Sequence, residues 1–141
     1  MTAATWLTFL LGDDEYGVEI LKVREIIGML PITPVPGSPP SLDGVVNLRG
    51  RVIPVMNLRR RFGLAPSEPH PENVIIVVEG GSKGATGIAV DRVREVASFA
   101  DTDLEPPPAG GIDANCVAAL GKRDGKVRIL LDISHVLTAA S

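Results

Sequence analysis

The sequence predicts a mainly β protein, arranged as a barrel or a sandwich of short strands. Its 141 residues include 15 glycines and 12 prolines, two residue types that interrupt helices. Only the ranges 18–27, 88–105 and 126–141 leave room for a helix of about ten residues. The remaining apolar residues fall in short runs bounded by turn formers, a pattern typical of strands. Long helices are therefore excluded from most of the chain.

Seven runs of apolar and β-branched residues have the length and composition of strands. In chain order they are Trp6–Leu11, Tyr16–Ile20, Gly44–Leu48, Val52–Asn57, Asn73–Val78, Gly87–Val90 and Val127–Leu131. Asp124-Gly125 precedes the last run and predicts a tight hairpin turn.

For two further segments, the sequence does not decide between a strand and a helix. Val90, Val93 and Val96 recur at every third position, which fits one face of a helix as well as an irregular strand. Val23 with Ile26 and Ile27 fits a helical turn for the same reason.

The range 44–58 carries the most information, because two apolar runs flank the polar centre Asn47-Leu48-Arg49-Gly50. This pattern predicts a buried hairpin in which Gly50 takes a positive φ and Arg49 stands at the tip. A turn arginine is usually only solvated, so the motif alone does not establish a binding site.

Composition excludes several functional classes. The formal charge of −3 and an aromatic content of 4% argue against a nucleic-acid surface, and Arg59-Arg60-Arg61 is expected to be the solvated face of a short helical turn. No apolar run approaches the roughly 18 residues of a membrane span, and 1–5 show no secretory signal, so we expect a cytoplasmic protein without membrane insertion. Cys116 is the single cysteine, which excludes an internal disulfide and predicts a small, semi-buried apolar side chain.

No arrangement of residues points to catalysis, a cofactor or a metal. His70 and His135 stand apart from other ligands, and Asp13-Asp14-Glu15 beside a glycine is typical of an exposed turn. The segment 80–84 is glycine-rich but lacks the Gly-Lys-Ser/Thr ending of a phosphate loop, so we expect a flexible hairpin loop there. No Gly-x-Ser-x-Gly elbow is present. The sequence therefore predicts a binding module and not an enzyme.

Five segments, taken in order, resemble the CheW family of bacterial chemotaxis coupling proteins. They are the range 9–26, the Thr33-Pro34-Val35-Pro36 segment with the Gly-x-x-Asn-Leu-Arg-Gly turn, the range 59–64, the range 87–93 and the range 129–133. Each piece is common in β proteins, but their shared order and spacing cover nearly the whole chain. Asn57 departs from the family pattern, which often has aspartate after Pro-Val-x.

The resemblance implies a single domain of two SH3-like five-stranded β-barrels, with short helical turns and a short C-terminal helix. One lobe would comprise about 5–50 plus 112–141, and the other about 51–104. Asp132 or Ser134 would cap the terminal helix.

The resemblance also implies a non-enzymatic adaptor in chemotaxis signalling. Its partners would be the cytoplasmic hairpin tip of chemoreceptors and the regulatory domain of a CheA-like histidine kinase, and it would be recruited to receptor arrays at the inner face of the membrane. By motif order, the receptor-binding residues would be Ile20, Val23, Glu25, Gly44, Asn47, Arg49, Gly50 and Ile75. Glu25 and Arg49 would form a salt bridge beside an apolar groove walled by Ile20, Val23 and Ile75. Kinase-binding residues would be Gly87, Val93 and Val96.

Two alternatives remain open. One is a related scaffold in a chemosensory pathway that controls pili, surface motility or gene expression. The other is an enzyme accessory subunit built from SH3-like barrels, which the missing catalytic residues disfavour.

Overall fold

The computed structural model describes residues 4–79, 84–108 and 114–138, and these form a mainly β structure. The strands are β1 (Ala4–Leu11), β2 (Asp14–Glu19), β3 (Val23–Gly28), β4 (Leu42–Leu48), β5 (Arg51–Asn57), β6 (Val74–Glu79), β7 (Ala85–Val90), β8 (Arg92–Phe99), β9 (Leu104–Glu105), β10 (Val117–Arg123) and β11 (Lys126–Leu131). The helices are α1 (Leu58–Arg61) and α2 (Ile133–Thr138), and the 3₁₀ turns are Ile20–Lys22, Asp101–Asp103 and Ala114–Cys116.

The strands form two sheets. The six-stranded sheet has the order β8-β1-β2-β11-β10-β9, and the five-stranded sheet has the order β3-β6-β7-β5-β4. Neighbouring strands are antiparallel except for β2 with β11 and β5 with β7, which are parallel. The prediction of two β lobes is confirmed at the level of two sheets, although one sheet gains a sixth strand from the two-residue β9.

The sheets divide the chain differently from the predicted lobes, 5–50 plus 112–141 and 51–104. Strands β3 and β4 belong to the five-stranded sheet, whereas β8 and β9 belong to the six-stranded one. A boundary after residue 50 would cut the β4–β5 hairpin, whose cross-strand pairs run from Leu42↔Met56 to Leu48↔Arg51. The chain instead crosses between sheets at Ile20–Lys22 and at the single residue Asp91.

Among the described residues, buried apolar side chains form three clusters. The largest core lies between the sheets and includes Leu7 and Val18 from one sheet and Met56, Ile76 and Ile88 from the other. A second core lies on the opposite face of the five-stranded sheet and contains residues such as Ile53, Val55, Ile75 and Val77. A third, around Trp6, Ala97, Phe99 and Leu130, belongs to the six-stranded sheet.

Contacts inside the six-stranded sheet show that it curls. Gly121 of β10 lies under the ring of Phe99 of β8, where a Cβ would be 2.9 Å from the ring. The Arg123 guanidinium donates a hydrogen bond to the backbone oxygen of Ser98, and Arg128 Nη2 lies 3.7 Å from Glu95 Oε2. These contacts connect β10 and β11 to β8, which is not adjacent to either strand in the sheet order.

The seven predicted strands are confirmed, with ends that differ by one or two residues. The two undecided segments are the strands β3 and β8, and β9 and β10 were not predicted. The predicted terminal helix is confirmed as α2, where Asp132 Oδ1 accepts the backbone N–H of His135 at 3.4 Å. The predicted hairpin loop at 80–84 lies outside the described residues except for Gly84.

Candidate functional site

The β4–β5 turn places Arg49 at an end of the five-stranded sheet. Arg49 and Gly50 both have positive φ, +52° and +85°, which is the backbone of a two-residue type I′ hairpin turn. The side-chain oxygen of Asn47 accepts the backbone N–H of Gly50 at 2.8 Å. The predicted turn is confirmed, and Asn47 and Gly50 are seen to shape it.

An ion pair joins this turn to β3. Arg49 Nη2 lies 2.5 Å from Glu25 Oε2, which confirms the predicted juxtaposition of the two side chains. Strands β3 and β4 are the two edges of their sheet, so the pair spans the opening between these edges. The Arg49 side chain is 69% exposed, and such exposed pairs contribute only about 0–1 kcal/mol to stability. The pair therefore orients the Arg49 guanidinium more than it stabilises the fold.

A depression of about 280 Å³ lies beneath this ion pair. Its floor consists of side chains from the second core, and its rim carries Arg24, Glu25, Arg49 and Arg51. Arg24 also lies 3.6 Å from Glu79 of β6. The rim is thus polar and mainly cationic above an apolar floor.

The crossover at Ile20–Lys22 exposes an apolar surface. Ile20 and Val23 are partly buried and pack against the core between the sheets. Leu21, which the sequence analysis did not single out, is 83% exposed. In the sequence, the only signal for an exposed residue here is that apolar residues continue at Ile20 and Leu21, after the alternating polar and apolar pattern of β2 has ended.

Two exposed valines lie at the same end of the sheets. Val96 pairs with Leu7, so its side chain is on the face turned to the five-stranded sheet, and it is 58% exposed. Val52 is 68% exposed and shares a face of β5 with the buried Met56. The sequence analysis did not identify Val52 as a site residue. Together with Leu21, these residues place exposed apolar surface beside the interface between the sheets.

Two predicted receptor residues have structural roles instead. Ile75 is fully buried in the second core, so the prediction that it walls an exposed groove is wrong. Gly44 is buried with a φ of +146°, and a Cβ there would lie 2.2 Å from the backbone oxygen of Thr33. Gly44 is needed for the approach of the Thr33 backbone and offers no side chain to a partner.

The predicted kinase residues are not brought together in one sheet. Gly87, predicted to bind the kinase, is buried inside β7, where a Cβ would meet Ile75 Cγ2 at 2.6 Å, so it presents no surface to a partner. Val93 is partly buried against the core between the sheets, and only Val96 is well exposed. Both valines lie on β8, an edge strand of the other sheet.

The basic cluster Arg59-Arg60-Arg61 is less solvated than predicted. Arg59 pairs with Asp91 at 2.5 Å, Arg60 pairs with Asp43 at 3.0 Å, and Arg61 donates to the backbone oxygen of Val136 at 3.1 Å. These arginines serve contacts within the protein.

No cluster of three or more potential metal ligands occurs among residues 4–79, 84–108 and 114–138. In the same part of the chain, no helix is both long and apolar enough to cross a bilayer.

Comparisons with family models, related sequences and solved structures give consistent results. A family model described as CheW-like domain matches residues 5–141. The chemotaxis protein CheW of Rhizobium meliloti is 34% identical over 132 residues, which cover 92% of this chain and 84% of that protein. Protein FrzA of Myxococcus xanthus is 34% identical over 113 residues, covering 80% of this chain and 69% of that protein. The crystal structure of the scaffolding protein TtCheW from Thermoanaerobacter tengcongensis matches with a TM-score of 0.88 at 32% identity, covering 96% of this chain and 92% of that one.

Proposed function

We propose that this chain, which belongs to the CheW family, is an adaptor that couples chemoreceptors to a CheA-type histidine kinase in chemotaxis signal transduction. The observation that carries this function is the family match over 5–141, together with a fold shared with a chemotaxis scaffold at a TM-score of 0.88. The adaptor is non-enzymatic and acts in the cytoplasm, where it joins receptor arrays at the inner face of the membrane.

The receptor surface lies at the end of the sheets that carries the Glu25–Arg49 pair. Ile20, Leu21 and Val23 supply apolar contacts, and Val52 and Val96 extend them on either side of the interface between the sheets. An amphipathic helix binds through a few apolar anchors and is oriented by polar groups at the rim. The hairpin tip of a receptor has this helical form, and Arg49 would orient it.

The kinase surface is assigned to the edge of β8 around Val93, away from Ser98, whose backbone oxygen accepts a hydrogen bond from Arg123. Val93 is partly buried there, whereas the side chain of Val96, on the face turned to the five-stranded sheet, belongs to the receptor surface. An unpaired strand edge favours lateral association with another β domain. The regulatory domain of the kinase would dock there, with Gly87 contributing only to internal packing.

Charge reversal at Glu25 tests the receptor assignment. In Glu25→Lys the new cation faces Arg49, and we expect receptor affinity to fall about five- to tenfold because like charges then meet at the rim. Binding of a purified receptor fragment and of the kinase regulatory domain is measured separately by calorimetry, with folding checked by melting. Kinase affinity should persist.

A swap and a matched control sharpen this test. Glu25→Lys with Arg49→Glu restores opposite charges and should recover part of the affinity. Glu105→Lys reverses one charge of another exposed pair, Lys122–Glu105 at 2.8 Å, and should leave receptor affinity unchanged. Equal loss of receptor and kinase affinity in a folded Glu25→Lys protein would reject two separate surfaces.

The likeness to Protein FrzA favours one second candidate, a scaffold in a chemosensory pathway that controls pili, surface motility or gene expression. Deletion of the gene in its host separates the two. Loss of swimming chemotaxis supports the first function, and a defect confined to surface motility or gene expression supports the second.

A further inference from the structure

We propose that Asp91 is a positioning residue whose carboxylate clamps the two sheets together and thereby sets the opening at the opposite end, where the receptor surface lies. The proposal rests on the proposed function for the identity of that surface. The clamp itself is visible in the geometry around Asp91.

Asp91 is the only residue between β7 and β8, which belong to different sheets. Its Oδ1 accepts Arg59 Nε at 2.9 Å, and its Oδ2 accepts Arg59 Nη2 at 2.5 Å. The same Oδ2 accepts the backbone N–H of Gly12 at 2.7 Å. Bidentate arginine pairs of this kind are strong and fix the geometry of both partners.

The donors come from both sheets. Arg59 lies in α1, directly after β5 of the five-stranded sheet, whereas Gly12 lies in the β1–β2 turn of the six-stranded sheet. The backbone of Asp91 adds two more contacts, because its N–H donates to Leu10 at 3.1 Å and its oxygen accepts from Asn73 Nδ2 at 2.9 Å. One residue thus connects α1, the β1–β2 hairpin and the segment before β6 at one end of the interface.

The arginines beside the neighbouring cavity are already neutralised. That cavity has a volume of about 560 Å³ and is lined by Arg59, Arg60, Asp43 and Asp91 among others. Asp91 forms an ion pair with Arg59, and Asp43 Oδ1 lies 3.0 Å from Arg60 Nη2. The arrangement is therefore suited to holding the protein together and not to binding an anion.

The receptor surface lies at the other end of the same strands. β6 runs from Val74, beside the clamp, to Glu79, and Val78 pairs with Val23 at the far end. Strands of six residues span about 20 Å, so a rotation of about 5° around the clamp moves their far ends by about 2 Å. A shift of this size changes the fit of a helix between the apolar residues on the two sheets.

The test compares two carboxylates that both accept internal hydrogen bonds. Asp91→Asn removes the charge of the clamp and keeps the side-chain shape. Asp132→Asn does the same at the cap of α2, where Asp132 Oδ2 lies 2.9 Å from His135 Nδ1 and connects no strands of the two sheets. Both variants are expected to lose some thermal stability.

Two readouts distinguish positioning from stability alone. Spin labels at Val52→Cys and Val96→Cys report the distance between the sheets, and the native Cys116 is only 1% exposed and should not react. We expect Asp91→Asn to broaden or shift this distance distribution, and Asp132→Asn to leave it unchanged. On unlabelled proteins, Asp91→Asn should weaken receptor-fragment binding about three- to tenfold, although residue 91 lies far from the surface, and Asp132→Asn should not.

Each outcome decides the proposal. An unchanged distance distribution in a less stable Asp91→Asn protein would overturn it, as would an equal change in both variants. If the wild-type protein does not bind the receptor fragment, the proposed function fails, while the distance measurement still decides whether Asp91 clamps the sheets.

Discussion

Replacement of Gly44 by alanine should destabilise the protein strongly, and the structure shows why. The added Cβ would lie 2.2 Å from the backbone oxygen of Thr33 and 2.7 Å from its carbonyl carbon. Because these are backbone atoms, no side-chain rotation can relieve the overlap. The segment that contains Thr33 must move away from β4.

The expected loss follows from what that movement breaks. Thr33 and Val45 exchange two backbone hydrogen bonds of 2.9 Å each, and each contributes about 1 kcal/mol. The φ of +146° at Gly44 adds strain of about 1 to 2 kcal/mol for a residue with a Cβ. We therefore expect Gly44→Ala to lower the free energy of unfolding by about 3 to 4 kcal/mol.

Gly50→Ala is the matched control. Gly50 also has a positive φ, +85°, but no atom lies within 4 Å of the position that an added Cβ would take, so only backbone strain of about 1 kcal/mol is expected. Urea unfolding followed by the fluorescence of Trp6, the single tryptophan, measures both variants. Equal losses for Gly44→Ala and Gly50→Ala would show that the contact with Thr33 contributes nothing.

Two further predictions concern charged side chains. Arg128→Met should cost about 2 kcal/mol, because it removes the guanidinium that lies 3.4 Å from the Glu15 carboxylate, which is 10% exposed, and leaves the more distant Arg94 at 4.0 Å. Urea unfolding measures this, and a loss below about 1 kcal/mol would mean that water solvates the carboxylate. The hydrogen bonds from Arg59, followed by the one from Gly12, lower the pKa of Asp91 in spite of its partial burial. Its contribution to stability is therefore complete above the unfolded pKa, near 4, and is lost as the pH falls through the folded value. The difference in melting temperature between wild type and Asp91→Asn should shrink below about pH 4, and a constant difference between pH 7 and pH 3 would contradict the linkage.

The sequence predicted the β4–β5 turn because the determinants of that turn are local. Gly50 supplies a positive φ, and the Asn47 side chain binds the backbone of the same turn. The Glu25–Arg49 pair is not local, since the two residues lie on opposite edges of a sheet. It was expected only because the resemblance supplied a fold.

For two segments the sequence did not decide between helix and strand, and one physical cause explains both. Val93 pairs with Phe9 and Val96 with Leu7, so both valines face the same side although they are three residues apart, because the register shifts at Arg94. Val23 and Ile26 share a face in the same way, with a shift at Arg24. A β-bulge adds one residue to the two-residue period of a strand, and the resulting spacing of three imitates a helix.

Burial of the core residues was harder to predict than their strands. Ile75 and the neighbouring Ile76 are both fully buried, because the five-stranded sheet has a core on each face. A strand with two buried faces has no polar alternation to show which face meets a partner. The ion-pair partners of Arg59 and Arg60 were equally hard to predict, because Asp91 and Asp43 are distant from them in the chain.

The exposed apolar residues also limit how much affinity apolar contacts can give to the proposed receptor surface. Leu21, Val52 and Val96 are 83%, 68% and 58% exposed, and completing their burial would contribute about 4 kcal/mol in total. That amount corresponds to a dissociation constant of about 1 mM before the cost of association is subtracted. The apolar contacts alone would therefore bind a single receptor weakly. Stable coupling would need either the polar rim around Arg49 or several simultaneous contacts, and the proposed array of receptors and kinases would supply the second through a raised effective concentration.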